Sequence, residues 1–366
     1  MSTSDLTAPD VEGVTVSENG ALGLITLNRP QVLNVLNTPM KARLAEAFPA
    51  FARNPDIYAA AIEAAGERAF CAGGDVRESV SAARSNMPAA RVAFKREYEL
   101  IWLLECFSKP TVSLISGIVM GSGVGLTAFN THRVAGERYK FAMPETAIGL
   151  FPDVGIAYVL ARLPHEIGTY LGLTGRAISR SDAFKLGLAT HCIPESEFAA
   201  IKAGLSEAWP VDTLLDERHS DPGPGELEPY NELIAKCFAT DTVEEIIGRL
   251  KAASGPHAEW AQAVVADLEK QAPLSLKVTL RHIREARAMD LRQTLGVDYK
   301  LACRFLEDSD FREGVRAVLI DKDNKPNWQP ADLSGVTAEM VAHYFSQLTD
   351  DGLDLPTRSE MQAARV

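Results

Sequence analysis

Apolar and polar positions alternate between strand-like and helix-like spacing along the first half of the chain. The apolar run at residues 23–27 predicts a strand. Thr38 followed by Pro39 is typical of a helix start, because Thr can cap the first turn and Pro fits within it. We therefore predict a helix over residues 41–51. The mostly apolar stretch at residues 57–64 predicts the next strand.

The same order of elements then recurs. Small residues at 70–75 predict a turn, and apolar side chains at three- and four-residue steps predict a helix over 91–107. Uncharged residues at 111–115 predict a buried strand. Because strands and helices alternate, the pattern favours an α/β core with parallel strand pairing.

The second half of the chain has a different pattern. Strand-like runs fade from residue 196 onward, and the Pro- and Gly-rich residues 221–225 predict a loop or hinge. Helical spacing follows at residues 243–250, 258–270, 274–289 and 291–306. We predict a core unit at residues 1–205 and a helical C-terminal region at residues 206–366.

Composition and charge narrow the classes of partner. The chain has 366 residues, of which 46% are hydrophobic and 23% charged, as in ordinary globular proteins. A formal net charge of −12 argues against nucleic acid as the main partner. A phosphorylated ligand remains possible, since it needs only a local basic patch.

Cysteine usage and the N-terminus bear on the compartment. The five cysteines have no C-x-x-C spacing, which predicts reduced thiols in a cytoplasmic location. Residues 1–10 lack the basic-then-apolar layout of a signal peptide. Residues 111–131 carry no charge and are long enough to span a membrane, but glycines and serines interrupt them. We predict a strand, a turn and a helix there, and no membrane partner.

Some motifs point to other chemistry. Residues 123–128 match the dinucleotide fingerprint G-x-G-x-x-A, which keeps an NAD-dependent oxidoreductase as one alternative function. The seven histidines show no spacing typical of metal ligands, so no metal site is predicted.

The strongest candidates for chemistry are two carboxylates in an apolar setting. Glu145 and Asp153 lie within the otherwise apolar residues 141–155. Buried carboxylates are costly unless something pairs or uses them, although exposed acids at helix starts would also fit the pattern. The small-residue turns at 71–75 and 121–123 could each point a backbone N–H outward, or simply make tight bends. Acid/base groups beside such amides suit acyl chemistry.

Four segments carry a resemblance to a known family. FCAGGD (70–75) and GIVMGSGVGL (117–126) resemble the two oxyanion-hole signatures of the crotonase, or enoyl-CoA hydratase/isomerase, superfamily. FAMPETAIGLFPDVG (141–155) and the tail at 311–333 resemble one branch, the 3-hydroxyisobutyryl-CoA hydrolases. The resemblance implies an α/β fold, a spiral of ββα units followed by a helical C-terminal region.

The resemblance also implies site residues. The thioester carbonyl of an acyl-CoA would lie against the amides of Gly74 and Ser122, the latter at a position where relatives commonly have glycine. Glu145 would be the central catalytic carboxylate, and Asp153 would orient the substrate or water. Glu97 would hold the 3-hydroxyl group of the substrate.

Position 125 separates reaction types within the superfamily. Hydratases that use two glutamates carry one of them there, whereas this chain has Gly125. Arg29 is a candidate for a phosphate contact to CoA, and Ala72 and Asp75 are further candidates for CoA binding by resemblance. CoA would be the leaving group, so no cofactor is predicted, and a homo-oligomer is compatible with the resemblance.

The function that the resemblance implies is hydrolysis of a short β-hydroxyacyl-CoA thioester to the free hydroxy acid and CoA. The expected substrate is 3-hydroxyisobutyryl-CoA, and the reaction would be a step of valine catabolism. A hydratase or isomerase of the same superfamily is the first alternative. The NAD-dependent oxidoreductase and a non-catalytic acyl-CoA-binding protein are the others.

Overall fold

A computed structural model describes residues 12–348 and 352–366. The strands are β1 (Val14–Asn19), β2 (Leu22–Leu27), β3 (Ala59–Ala64), β4 (Ala69–Cys71), β5 (Thr111–Ile115), β6 (Ile118–Met120), β7 (His132–Ala135), β8 (Lys140–Ala142), β9 (Ile178–Ser179) and β10 (His191–Cys192).

The strands form two sheets, and most pairs are parallel. The larger sheet has the order β1-β2-β3-β5-β7-β10, and only β1 pairs antiparallel to its neighbour. The smaller sheet has the order β4-β6-β8-β9, with β4, β6 and β8 parallel and β9 antiparallel. The predicted α/β class with parallel pairing is confirmed.

Helices separate the strands and make up most of the chain after β10. They are α1 (Thr38–Arg53), α2 (Val76–Ser85), α3 (Met87–Cys106), α4 (Ser122–Ala128), α5 (Ile156–Leu160), α6 (Ile167–Thr174), α7 (Arg180–Lys185), α8 (Phe198–Ser206), α9 (Val211–Asp216), α10 (Asn231–Phe238), α11 (Val243–Lys251), α12 (Ala258–Leu268), α13 (Pro273–Ala286), α14 (Leu291–Glu307), α15 (Ser309–Val315), α16 (Ala338–Phe345) and α17 (Arg358–Ala363).

Helix caps explain where the predicted and observed boundaries differ. The cap of α1 is Asn37, whose side chain accepts the N–H of Met40 at 3.0 Å, rather than Thr38. α3 begins four residues before the predicted start, because Asn86 caps it by accepting the N–H of Ala89 at 3.2 Å. Asn is among the strongest helix caps, which accounts for both shifts.

One cluster of buried apolar side chains connects the two halves of the chain. It contains Ile25 and Phe70 from the strands, Phe151 from the segment after β8, and Leu295 and Phe305 from α14. The predicted division at residue 205 falls near the end of α8 and stays a prediction. The first eleven residues of the predicted core unit, 1–11, lie outside the described part of the chain.

The uncharged segment at residues 111–131 forms β5, β6 and α4. The predicted strand and helix are present, but a second, three-residue strand, β6, precedes the helix. Among the described residues, no helix combines the length and the apolar character that crossing a bilayer requires. The interpretation of residues 1–10 concerns a segment outside the described residues. All five cysteines are buried and free of disulfides.

Candidate active site

Three neighbouring parallel strands bring Gly74, Ser122 and Glu145 to one edge of the smaller sheet. β4 is followed by Ala72–Asp75, β6 by Gly121 and Ser122, and β8 by a short 3-10 helix, Glu145–Ile148. The carboxyl ends of parallel strands meet at the same edge of a sheet, where α/β proteins bind their ligands.

The two glycine turns and Glu145 are in direct contact at this edge. A Cβ atom added to Gly74 would lie 2.7 Å from Ser122 Oγ. One added to Gly121 would lie 3.0 Å from Glu145 Oε1 and 3.5 Å from the Cα atom of Gly73. Gly73 and Gly121 also have positive φ angles, +115° and +49°, which other residues rarely adopt. The close approach therefore depends on glycine.

The amides of Gly74 and Ser122, in the turns after β4 and β6, have no hydrogen-bond partner among the described residues. Leu36 pairs with the turn after β4. Its amide donates to the carbonyl of Gly73 and its carbonyl accepts from the amide of Asp75, so the Gly74 amide takes no part in this pairing. Ser122 is the first residue of α4, where helix amides lack an acceptor within the helix. Within the described residues, neither amide donates a hydrogen bond to the protein, which leaves both free to bind a ligand oxygen.

Glu145 is deeply buried, with 6% of its surface exposed. Its carbonyl accepts the N–H of Leu150 at 3.0 Å, which closes the short helical turn. The carboxylate atom Oε2 has no hydrogen-bond partner in the part of the chain that the structure describes. Burial, and secondarily the charge of Asp153, raises the pKa of Glu145 well above the usual value of a glutamate.

Asp153 is equally buried, at 6% exposure. Its Oδ2 atom accepts a hydrogen bond of 2.8 Å from the hydroxyl of Tyr98 on α3. Burial raises the pKa of Asp153 well above its ordinary value, and the charges of Glu97 and Asp298 add to the effect. The Tyr98 hydrogen bond and the charge of Lys41 oppose it. The two carboxyl groups therefore share a strong tendency to keep a proton.

The chain turns sharply after Asp153. Val154 has φ 56° and Gly155 has φ 77°, and a left-handed conformation is strained for a β-branched residue such as Val. The amide of Gly155 donates a 2.6 Å hydrogen bond to Asp298 Oδ2 on α14. The other Asp298 oxygen lies 2.6 Å from His282 Nε2 on α13. The side chains of Asp298 and His282 are both buried. Two helices from far along the chain, α13 and α14, therefore hold the turn after Asp153 in place.

Glu97 completes the group of buried acids and pairs with a lysine. It lies on α3 with 4% of its surface exposed, and its Oε2 atom is 2.5 Å from Lys41 Nζ. Lys41 belongs to the first turn of α1. Glu97 is therefore a buried acid and not a solvated one. Among the described residues, its ion pair with Lys41 brings one cation to the three acids Glu97, Glu145 and Asp153.

The candidate CoA-binding residues lie on two loops that pair with each other. Arg29 follows β2, and its guanidinium donates to the carbonyl of Val35 at 2.9 Å. The amide of Ala72 donates to the carbonyl of Leu33, which joins the loop after Arg29 to the turn after β4. The Asp75 side chain caps α2. The Asp75 side chain therefore already has a role in the fold. CoA binding by Arg29, Ala72 and Asp75 stays a prediction.

The glycines of the dinucleotide-like motif have a packing role. A Cβ atom at Gly123 would lie 2.5 Å from the carbonyl of Cys71, and one at Gly125 would lie 2.7 Å from Ile101 Cδ1 and 2.9 Å from Val154 Cβ. A side chain at position 125 would have to displace the Ile101 side chain on α3 and Val154 in the turn after Asp153. Close helix packing therefore accounts for the motif without a nucleotide.

Sequence reasoning missed two residues that contact the acids, Tyr98 and Lys41, and two that hold the turn after Asp153, Asp298 and His282. Tyr98 adjoins Glu97 in the sequence, so the helical spacing that placed Glu97 could also have suggested it. Lys41, His282 and Asp298 reach the site only through folding, and no local motif marks them. Among the described residues, no group of three or more potential metal ligands is placed to hold an ion.

The fold and site define a class of α/β proteins in which buried carboxyl groups face unpaired backbone amides at the ends of parallel strands. A family model for enoyl-CoA hydratase/isomerase matches residues 22–345. The chain belongs to this family, the crotonase superfamily, and the predicted spiral fold is confirmed.

Curated relatives and solved structures agree with this placement. The chain is 39% identical to 3-hydroxyisobutyryl-CoA hydrolase 1 of Arabidopsis thaliana, over 96% of this chain and 97% of the relative. It is also 39% identical to the human mitochondrial 3-hydroxyisobutyryl-CoA hydrolase, over 93% and 90%.

Among solved structures, a carnitinyl-CoA dehydratase from Mycobacterium thermoresistibile superimposes with a TM-score of 0.88 at 36% identity, covering 94% of this chain and 99% of that one. An enoyl-CoA hydratase from Rhodobacter sphaeroides gives a TM-score of 0.87 at 34% identity, over 94% and 100%.

Proposed function

We propose that this protein hydrolyses a short β-hydroxyacyl-CoA thioester, 3-hydroxyisobutyryl-CoA in particular, to the free hydroxy acid and CoA. The observation that carries the proposal is the buried carboxylate of Glu145, which has an unpartnered oxygen and contacts the turn that holds the free Ser122 amide. Relatives named as 3-hydroxyisobutyryl-CoA hydrolases, 39% identical over most of the chain, support the choice of substrate.

The amides of Gly74 and Ser122 bind the thioester oxygen in this proposal. Neither has a partner among the described residues. Gly74 lies against Ser122, and the turn before Ser122 contacts Glu145. A donor aimed at the charge that develops on the carbonyl oxygen contributes about 3–4 kcal/mol to transition-state stabilisation. The Ser122 side chain also contacts the position of Gly74 and narrows the space for the acyl group.

Glu145 acts on the carbonyl carbon by one of two routes. Its carboxylate either attacks the thioester and forms a mixed anhydride that water then cleaves, or it takes a proton from water as the water attacks. Thiolate leaves in both routes and is protonated to CoA. Turnover in ¹⁸O-labelled water followed by peptide mass spectrometry can identify the anhydride route, because label enters the Glu145 side chain only when water cleaves an anhydride at the Glu145 carboxyl carbon.

Asp153 orients the attacking group or passes a proton, and Glu97 accepts the hydrogen bond of the substrate hydroxyl. Arg29, Ala72 and Asp75 bind CoA in this proposal, which needs no cofactor because CoA arrives with the substrate. The cytoplasmic location and a homo-oligomeric state stay predictions from the sequence. Relatives from rat and human carry the word mitochondrial in their names.

Replacing Glu145 by glutamine tests the central role. We expect Glu145→Gln to lower thiol release from 3-hydroxyisobutyryl-CoA by about 10²- to 10⁴-fold or more, because the amide can neither attack nor accept a proton. Binding of CoA should persist. Glu259→Gln changes an exposed acid on α12 and is the matched control, expected to keep full activity. Full thiol release by Glu145→Gln would contradict the assignment.

Hydration of an enoyl-CoA is the second candidate, favoured by the names of the two solved structures. Crotonyl-CoA tests it directly, since hydration removes the enoyl absorbance without releasing thiol. We expect thiol release from the hydroxyacyl substrate and little loss of enoyl absorbance. The lack of room for a glutamate at Gly125 supports this expectation.

A further inference from the structure

Lys41 is the most exposed ionisable side chain among Lys41, Glu97, Glu145 and Asp153. The Lys41 side chain keeps 14% of its surface exposed, against 5% for Glu97. The lysine is therefore partly open to solvent, whereas the acids beside it are buried. An ion pair this close to a site need not stabilise the fold, because desolvation offsets much of the attraction.

Lys41 also lies beside the turn that binds the acyl group in the proposed reaction. Its Nζ atom is 3.3 Å from the position that a Cβ atom on Gly74 would occupy. A ligand oxygen bound at the amide of Gly74 would thus have the Lys41–Glu97 pair as a near neighbour. The pair is close enough to contact a substituent one or two carbons along the acyl chain.

The ammonium group has unused hydrogen-bonding capacity. A lysine ammonium offers three N–H donors, and Glu97 Oε2 is its one hydrogen-bond acceptor among the described residues. Glu97 in turn offers acceptor sites only. Together the two side chains present a donor beside an acceptor, and a hydroxyl group can satisfy both at once by donating to the carboxylate and accepting from the ammonium.

We propose that Lys41 is a specificity-determining residue that, together with Glu97, recognises the 3-hydroxyl group of the acyl chain. The inference rests on the proposed function and deepens it. A site with polar groups placed for a hydroxyl discriminates strongly against the analogue that lacks it, because those groups are then left without a partner.

A role for Lys41 in stabilising the oxyanion is the competing interpretation. The two unpaired amides already provide donors for that oxygen, whereas the shortest contact of Lys41 is with Glu97. The two roles predict different results. A lysine that acts on the oxyanion accelerates all acyl substrates equally, but one that recognises the hydroxyl acts only on substrates that carry it.

The test compares 3-hydroxyisobutyryl-CoA with isobutyryl-CoA, which differs by the hydroxyl alone. We expect Lys41→Met to lower kcat/KM for the hydroxylated substrate about 10- to 100-fold more than for isobutyryl-CoA, the effect of losing one hydrogen bond to a charged group. Lys41→Arg keeps the charge and a donor and should retain part of the preference. Equal losses on both substrates, or an unchanged preference, would overturn the proposal.

Lys202→Met is the matched control. Lys202 forms a half-buried ion pair of 2.7 Å with Glu63 on the larger sheet, so this variant removes a similar pair at a distance from the acids. It should leave the substrate preference unchanged. A melting curve for each variant shows whether the chain folds.

A binding measurement separates failure of this inference from failure of the proposed function. In the Glu145→Gln background, calorimetry gives the Kd of both acyl-CoA compounds with Lys41 and with Met at position 41. A preference for the hydroxylated compound that the Met variant loses supports the role of Lys41 even if the wild-type protein releases no thiol. A preference that persists in the Met variant contradicts it, whatever reaction the protein catalyses.

Discussion

At the scale of single residues, the proposed reaction and the stability of the fold favour different protonation states of the buried Glu145 carboxyl. Its Oε2 atom has no partner in the described part of the chain, and burial raises its pKa. The proposed reaction needs the ionised form, so activity should rise with pH through this raised pKa. The folded state, in contrast, favours the protonated form.

We expect Glu145→Gln to be more stable than the wild type at neutral and alkaline pH. A carboxyl whose pKa is higher in the folded state keeps its proton there after the unfolded chain has released it, so the wild type loses stability as pH rises towards the folded pKa. The neutral amide removes this loss. Urea unfolding at pH 4 and pH 8 checks the sign: the two proteins should differ little at pH 4 and clearly at pH 8. A variant that is less stable at both values would contradict the argument.

Gly125 packs tightly against α3 and the turn after Asp153. A methyl group there would overlap Ile101 and Val154, so we expect Gly125→Ala to lower the free energy of unfolding by about 1–3 kcal/mol. Gly248→Ala on α11 is the control, because no described residue outside the adjoining turns of that helix comes within 4 Å of the added Cβ. That change should stabilise the protein by about 0.5–1 kcal/mol. Similar urea midpoints for the two variants would show that position 125 has room after all.

At the scale of elements, helices remote in sequence hold the turn after Asp153. Val154 is strained, and the hydrogen bond from Gly155 to Asp298 on α14 helps to keep it in that conformation. Asp298 is thus a positioning residue that acts through the turn. It also affects the electrostatics of the site, because its charge is one cause of the raised pKa of Asp153.

We expect Asp298→Asn to lower stability by about 1.5–3 kcal/mol, since it weakens two buried hydrogen bonds to a charged group. The pH profile of kcat/KM gives a readout that a purely structural role would not change. Asp153 faces Tyr98, Glu97, Lys41 and Asp298, and removing the Asp298 charge should move its titration to lower pH. A loss of stability with an unmoved profile would limit Asp298 to a structural role.

The elements also show what the sequence alone could predict. Periodicity predicted α3 and α14 to within a few residues, and the glycine turns and acids that converge at the sheet edge were marked by their motifs. β1 and the three-residue strands β6 and β8 were missed, because a partly exposed edge strand and very short strands leave little pattern. The Gly155–Asp298 contact joins residues 143 positions apart, so only the fold reveals it.

At the scale of the whole molecule, the C-terminal helices and the sheets share one core. α14 packs on α3, and Leu295 Cδ2 lies 3.3 Å from the position of a Cβ atom on Gly155. The indole of Trp102 on α3 donates a 2.8 Å hydrogen bond to the carbonyl of Pro356, close to the end of the chain. Contacts of this kind couple the folding of residues 206–366 to that of the preceding part.

A shared core predicts one cooperative unfolding transition instead of two. Far-UV circular dichroism, which follows mainly the helices, and Trp fluorescence should give coincident denaturant curves. Leu295→Ala removes a fully buried side chain of α14 and should cost about 2–5 kcal/mol. Because α14 belongs to the shared core, both curves should shift together. If the variant instead splits the transition in two, residues 1–205 and 206–366 fold as separate units. The hydrogen bond from Gly155 to Asp298 on α14, which holds the turn after Asp153, can then be lost while the sheets remain intact.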